Sequence, residues 1–134
     1  MKIEDVEGIG PAFAQKLSAA GVATTDALLD RGATSSGRDK LSEETGISER
    51  LLLEWVNHAD LMRISGVGSE YADLLEAAGV DSCAELAQRN AANLAVTFQE
   101  LDAARPNTVR QVPSETTIAG WIDQAGNLAK IVTH

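Results

Sequence analysis

The chain has 134 residues, of which 44% are hydrophobic and 23% charged, a balance that supports a packed core and excludes disorder along the whole length. Its net charge of −9 sets up a field that repels nucleic acid and anionic membranes unless positive charge is locally segregated.

The acidic opening Met1-Lys2-Ile3-Glu4-Asp5 leads into Val6-Glu7-Gly8-Ile9-Gly10. Two glycines two apart let the backbone turn through angles that other residues avoid. Ile9 between them plugs the junction of the flanking helices, and Pro11 suits the first turn of the helix that follows. Gly21 stops that helix, where a left-handed residue closes the last turn. The stretch Gly32-Ala33-Thr34-Ser35-Ser36-Gly37-Arg38-Asp39 has two glycines five apart but no Lys-Ser/Thr pair and no preceding strand. It reads as a solvated loop over which Arg31, Arg38 and Lys40 are spread, not as a phosphate-binding loop. Gly46 is a second stop, and Ser48 caps a helix on which Leu51, Leu52, Trp55, Val56 and Ala59 keep a 3.6-residue stripe. His58 and Asp60 on that helix cannot share a face and find no third ligand at metal spacing, so both are expected as exposed polar residues.

The chain then returns to its opening theme. Ile64-Ser65-Gly66-Val67-Gly68 lies 58 residues after the first glycine turn, and Leu75-Glu76-Ala77-Ala78-Gly79-Val80 repeats Leu17-Ser18-Ala19-Ala20-Gly21-Val22 at the same spacing. Gly79 is a stop like Gly21. Ser82-Cys83-Ala84-Glu85 fits a capping box, with Cys83 as a small structural residue. Arg105-Pro106-Asn107-Thr108 reads as a turn. Ser114 caps a last helix that buries Ile118, Trp121, Ile122 and Ala125. There Trp121 matches Trp55 at a spacing of 66, so about eight extra residues enter near 93–112. Lys130 to Thr133 alternates like a strand but is too short to matter, and His134 is expected to be mobile. The pattern predicts an all-α fold of two pseudo-repeated halves, 1–60 and 61–134, packed as one compact body with both tryptophans in the core.

A helix opened by glycine presents unpaired N–H groups and the positive end of its dipole, a potential seat for phosphate or carboxylate. The alternative is that the glycine pairs are structural turns that lock helices together. Val6-Glu7-Gly8-Ile9-Gly10-Pro11 and Ile64-Ser65-Gly66-Val67-Gly68 resemble paired helix-hairpin-helix motifs, found in DNA repair, replication and recombination proteins. The whole chain resembles the prokaryotic family called domain of unknown function 4332. The shared features are the opening Ile3 to Pro11, the central Glu54-Trp55-Val56-Asn57-His58-Ala59-Asp60-Leu61-Met62-Arg63-Ile64, Gly68-Ser69-Glu70-Tyr71-Ala72-Asp73-Leu74-Leu75, Ala87-Gln88-Arg89-Asn90, Trp121-Ile122-Asp123-Gln124-Ala125 and Val132-Thr133-His134.

The helix-hairpin-helix resemblance implies binding of backbone phosphate by hairpin amides at Gly8, Ile9, Gly10 and Ala12, and at Gly66, Val67, Gly68 and Ser69. No cofactor is expected from the sequence, although the same resemblance allows a monovalent cation held by hairpin carbonyls. DNA-binding members place Lys or Arg just after the second glycine. Here the chain reads Gly10-Pro11-Ala12-Phe13-Ala14, with Lys16 farther on, and Gly68-Ser69-Glu70-Tyr71. A carboxylate at contact distance from a phosphate costs on the order of a few kcal/mol at a surface-like dielectric. One amide–phosphate bond contributes about 1.5–3 kcal/mol, so the second hairpin is expected to be unfit for DNA.

No nucleophile elbow, metalloprotease helix or dinucleotide-binding turn is present, so a non-enzymatic binding module is expected. The lone cysteine fits a reducing compartment, and no apolar run approaches the ~20 residues of a bilayer span, which points to a cytoplasmic protein. Another protein, or a second copy in self-association, is the expected partner. Sequence-independent DNA or RNA binding is the alternative.

Overall fold

Thr24, Thr34, Ser48, Ser82, Asn90 and Ser114 each accept a hydrogen bond on the side chain from the backbone N–H three residues on. At each of these points a helix begins, because the side-chain oxygen satisfies a first-turn donor that the helix itself cannot. The computed structural model describes residues 1–106 and 109–134. The fold is all-α: after a 3-10 turn at Ile3–Asp5 come α1 (Pro11–Ala19), α2 (Thr25–Gly32), α3 (Ser35–Thr45), α4 (Glu49–Leu61), α5 (Ser69–Ala77), α6 (Cys83–Leu86), α7 (Ala91–Ala104) and α8 (Glu115–Gly126). No strand occurs among the described residues, only an isolated bridge between Lys2 and Thr24. The chain divides into two compact units, Met1–Asp60 with Lys130–His134, and Leu61–Ala129.

In unit 1, α1 ends as the sequence requires. Gly21 stands at φ +86°, its N–H donates to the Ser18 carbonyl, and the Val22 N–H donates to the Leu17 carbonyl. This is the Schellman closure, which a side chain at Gly21 would strain. Arg31 donates to the Ala20 carbonyl just before that glycine, at 3.0 Å, and forms an ion pair with Glu44. The segment expected as a solvated loop is largely helix. Thr34 to Ser36 are exposed, but α3 starts at Ser35, and Arg38 is only 4% exposed. Its guanidinium donates to the carbonyls of Gly32 and Ala33, where α2 runs out, and to that of Thr133. Burial pulls the Arg38 pKa below its ordinary value, with Glu49 acting in the opposite direction. The two glycines serve contact, not phosphate. A Cβ on Gly37 would lie 2.3 Å from the Arg31 carbonyl oxygen, and one on Gly32 would lie 2.5 Å from Val56 Cγ2.

Three further expectations for this unit are corrected. His58 and Asp60 are each 2% exposed, because α4 is buried all round from Trp55 to Asp60 and leaves no solvent face for them. His58 Nδ1 lies 3.1 Å from the Glu54 carbonyl. His134 is tied to Asn57, with 3.1 Å between its Nε2 and Oδ1.

Unit 2 closes α5 in the same way, with Gly79 at φ +89° and the Val80 N–H on the Leu75 carbonyl. Arg89 donates to the Ala78 carbonyl at 3.1 Å and pairs with Glu85. α6 and α7 pack on α8 around a core that includes Leu75, Leu86, Leu94, Phe98, Ile118 and Trp121. Cys83 is buried in the first turn of α6. α7 has 14 residues where α3 has 11, and ten positions, 105–114, separate it from α8. The turn expected at Arg105–Thr108 lies partly outside the described residues, at Asn107 and Thr108.

Trp55 is 2% exposed and Trp121 3%. Each indole meets a second ring, Phe13 at 5.1 Å for Trp55 and Tyr71 at 5.2 Å for Trp121. Truncating either tryptophan to alanine leaves a cavity that its helix cannot close. Trp55→Ala and Trp121→Ala are each expected to lower unfolding free energy by about 3–5 kcal/mol in urea titrations followed by circular dichroism. A loss under about 1 kcal/mol contradicts the buried role.

Candidate functional site: two glycine turns

The two turns are built alike, each within its own unit. In the first, the Ile9 N–H donates back to the Val6 carbonyl at 3.1 Å, and Gly8 stands at φ +90°. This is the conformation that a type II turn demands of its third residue, and glycine adopts it without strain. Behind it lies an indole: a Cβ on Gly8 would meet Trp55 Nε1 in ordinary van der Waals contact at 3.4 Å. In the second turn the Val67 N–H donates to the Ile64 carbonyl at 3.0 Å, Gly66 has φ +94°, and its Cβ would lie 3.3 Å from Trp121 Nε1. Ile9 and Val67 are buried beneath their turns at 5% and 3% exposure.

The second glycine of each pair has no such duty. Gly10 (φ −84°, ψ −179°) and Gly68 (φ −93°, ψ −169°) adopt extended backbone open to any residue, and a Cβ on either meets nothing within 4 Å. Each is the N-cap of the following helix, and neither α1 nor α5 receives a side-chain cap there. Glycine therefore leaves the positive end of each helix bare of side chain at the cap.

Gly8, Gly10 and Ala12 are exposed on the first turn; on the second Gly66 is exposed and Gly68 and Ser69 half-buried. The N–H groups of Ile9 and Val67, grouped with these as candidate donors, are committed inside the turns and do not face a ligand. Around this common frame the turns differ. The first turn of α1 holds no acidic residue, Lys16 lies 5.9 Å over the Phe13 ring, and Glu4, Asp5 and Glu7 are exposed just before the turn. On α5, Glu70 accepts the Arg110 N–H and lies 3.9 Å from the Arg110 Nε, while the Tyr71 hydroxyl donates to the Gln111 carbonyl at 2.8 Å. Gln124 of α8 also clamps the turn, accepting the Ser65 N–H at 2.9 Å and donating to the Ser65 carbonyl at 3.3 Å.

Arg110 and Gln111 carry no motif, and Gln124 lies in the shared stretch Trp121–Ala125 with nothing to mark its role; the three lie 40 to 59 residues from their partners. Arg31 and Arg89 left a signal, the same 58-residue spacing that relates the turns. No group of three His, Cys, Asp or Glu side chains able to hold a metal occurs among the described residues. None of their helices is long and apolar enough to cross a membrane.

Compared with known protein families, residues 7–128 match the profile of the family described as Domain of unknown function (DUF4332). The chain belongs to this family. No curated protein and no solved structure matches it. In this DUF4332 chain the match begins at the first glycine turn and ends just beyond α8, so it takes in both turns and both tryptophans.

The two glycines of a turn are expected to respond oppositely to a methyl group. Gly8→Ala must hold a left-handed backbone against an indole, at a cost of about 1–2 kcal/mol. At Gly10, losing a good N-cap costs about 0.5–1 kcal/mol, but alanine also restricts the unfolded chain by about 0.4–1 kcal/mol, so the net change is near zero. Paired denaturation curves of the two variants test the contrast, and equal losses at both sites contradict it.

Proposed function

We propose that the chain is a non-enzymatic binding module that engages another protein, its glycine turns being helix-hairpin-helix elements retained as architecture. The observation that carries this reading is the state of the second turn. Glu70 brings a carboxylate to the first turn of α5, and the chain's own Arg110 and Gln111 are bound beside it. A duplex gripped symmetrically by two hairpins needs both amide ends, and here one is dressed with its own loop and an acid. The net charge of −9 adds a long-range penalty for any polyanion and favours partners with basic surfaces.

One observation favours a second reading, sequence-independent nucleic-acid binding through the first turn alone. The N-terminus of α1 is uncapped, free of acid in its first turn and unobstructed at Gly10. A single seat of this kind supplies only a few charge-assisted bonds, each worth about 1.5–3 kcal/mol, against the repulsion of the whole surface.

Binding of labelled duplex and single-stranded DNA at ~100 mM salt separates the two. The protein-binding reading expects no complex up to tens of micromolar, together with a partner retained specifically in a pull-down. Micromolar DNA affinity with a steep salt slope overturns it. In that case Gly10→Asp is expected to abolish the affinity with the helical circular-dichroism signal intact, which assigns the binding to the first turn.

A further inference from the structure

Lys130–His134 belongs to unit 1, although the chain reaches it only after building the whole of unit 2. It lies there as a short peptide lies on a receptor. The Thr133 backbone is gripped from both sides: its N–H donates to the Ala33 carbonyl and its carbonyl accepts from the Arg38 guanidinium, each at 2.8 Å. Val132 beside it is 2% exposed, Ile131 and Thr133 face solvent, and His134 meets the amide of Asn57 at 3.1 Å. Main-chain bonds that hold the segment, with one buried side chain that selects it, are the elements of peptide recognition.

The receptor side is assembled from unit 1 itself. Arg38 is fixed by the Gly32 and Ala33 carbonyls at 2.8 and 3.2 Å, so its guanidinium is in place to donate to a peptide carbonyl independently of the segment. In unit 2, α7 carries Leu94 at the same helical position, the fourth residue, and Leu94 is buried in that unit's core. A helix at this point of the fold therefore needs no arginine for packing; Arg38 serves the carbonyls at the end of α2 and the segment it holds.

We propose that this groove, formed by Ala33, Arg38 and Asn57, is exchangeable, and that its occupant in self-association is Lys130–His134 of a second copy. Every copy carries the same segment, so docking in trans remakes each bond seen in cis without a new interface. The segment is joined to unit 1 only through unit 2, and few bonds hold it, so it can leave while the helices stay folded. The inference rests on the binding-module reading for its biological use, but a failed pull-down and a failed exchange are separate results, because the groove shares no residue with the glycine turns.

Two full-length variants divide the contact. Thr133→Pro removes the segment's N–H and leaves the groove, while Arg38→Leu removes the groove's donor and leaves the segment. Isotope-labelled Thr133→Pro protein, titrated with unlabelled Arg38→Leu protein to about 1 mM, is expected to show saturable NMR shifts at Ala33 and Asn57. Labelled wild type, whose groove is filled in cis, is expected to respond at least about tenfold more weakly. Absence of shifts, or equal shifts when the titrant carries both substitutions, overturns the proposal. Amide exchange of the unaltered protein gives an answer even if a variant does not fold. The Thr133 N–H is expected to exchange at least about 100-fold faster than the Leu52 N–H in α4, and exchange of the two at one rate overturns it.

Discussion

Each unit depends on a contact between its first turn and its last helix, an indole nitrogen set against a glycine of positive φ. Gly8 meets Trp55 and Gly66 meets Trp121, residues separated by nearly the full length of their units. The contact fixes two things together. The turn favours glycine through its backbone angle, and the indole behind it leaves a Cβ only close contact. The helix must arrive in one register, because a tryptophan a single position away would point elsewhere. Phe13 and Tyr71 complete the arrangement by packing tilted against the same indoles from the helices that the turns open. The shape of each turn is thus dictated from the core, and its outer side, where the helix begins, is left to be defined by other residues.

The arginines show a second economy. Arg31, Arg38, Arg63 and Arg89 all donate to main-chain carbonyls, those of Ala20, Gly32, Ala129 and Ala78 among them. Ala20, Gly32 and Ala78 stand at helix ends, which leave such carbonyls unpaired, and a guanidinium there is stabilised by the negative end of the dipole; Ala129 lies beyond the end of α8. The chain has eleven basic residues in all, and three of them are placed at helix ends in this way. This bears on polyanion binding, because a guanidinium committed to a carbonyl is less free to meet a phosphate.

Much of this was legible in the sequence, and what was legible was local. Gly21 and Gly79 announce helix ends because the left-handed cap is a matter of two or three residues, and Ser48 and Ser114 announce starts for the same reason. The burial of Trp55 and Trp121 could be read from stripes within single helices. The buried face of His58 and Asp60 could not, since a helix surrounded on all sides loses the polar face by which its orientation is judged. Nor could the place of Arg38 or Lys130–His134, whose mutual bond spans 95 positions and leaves no periodic trace. Of the site, the glycines were visible and their differing surroundings were not: Glu70 looked like an obstacle to phosphate, but its engagement with Arg110 depends on a loop with no motif of its own.

Gly10 and Gly68 pose the sharper question, because nothing in the fold requires glycine at either. Their backbone angles suit any residue and a methyl group would project into open space. Serine, threonine, asparagine or aspartate there would satisfy a first-turn N–H, as happens at the six other helix starts. Glycine forgoes that cap and leaves the amides facing outward. On α5 the chain itself adds the Glu70 carboxylate and binds Arg110 and Gln111 beside it. Among the described residues no such loop is seen at the start of α1, so the two ends, alike in backbone, differ in their surroundings. The difference comes from residues outside the glycine motif, 40 positions along the chain from α5, and the doubled motif alone does not carry it.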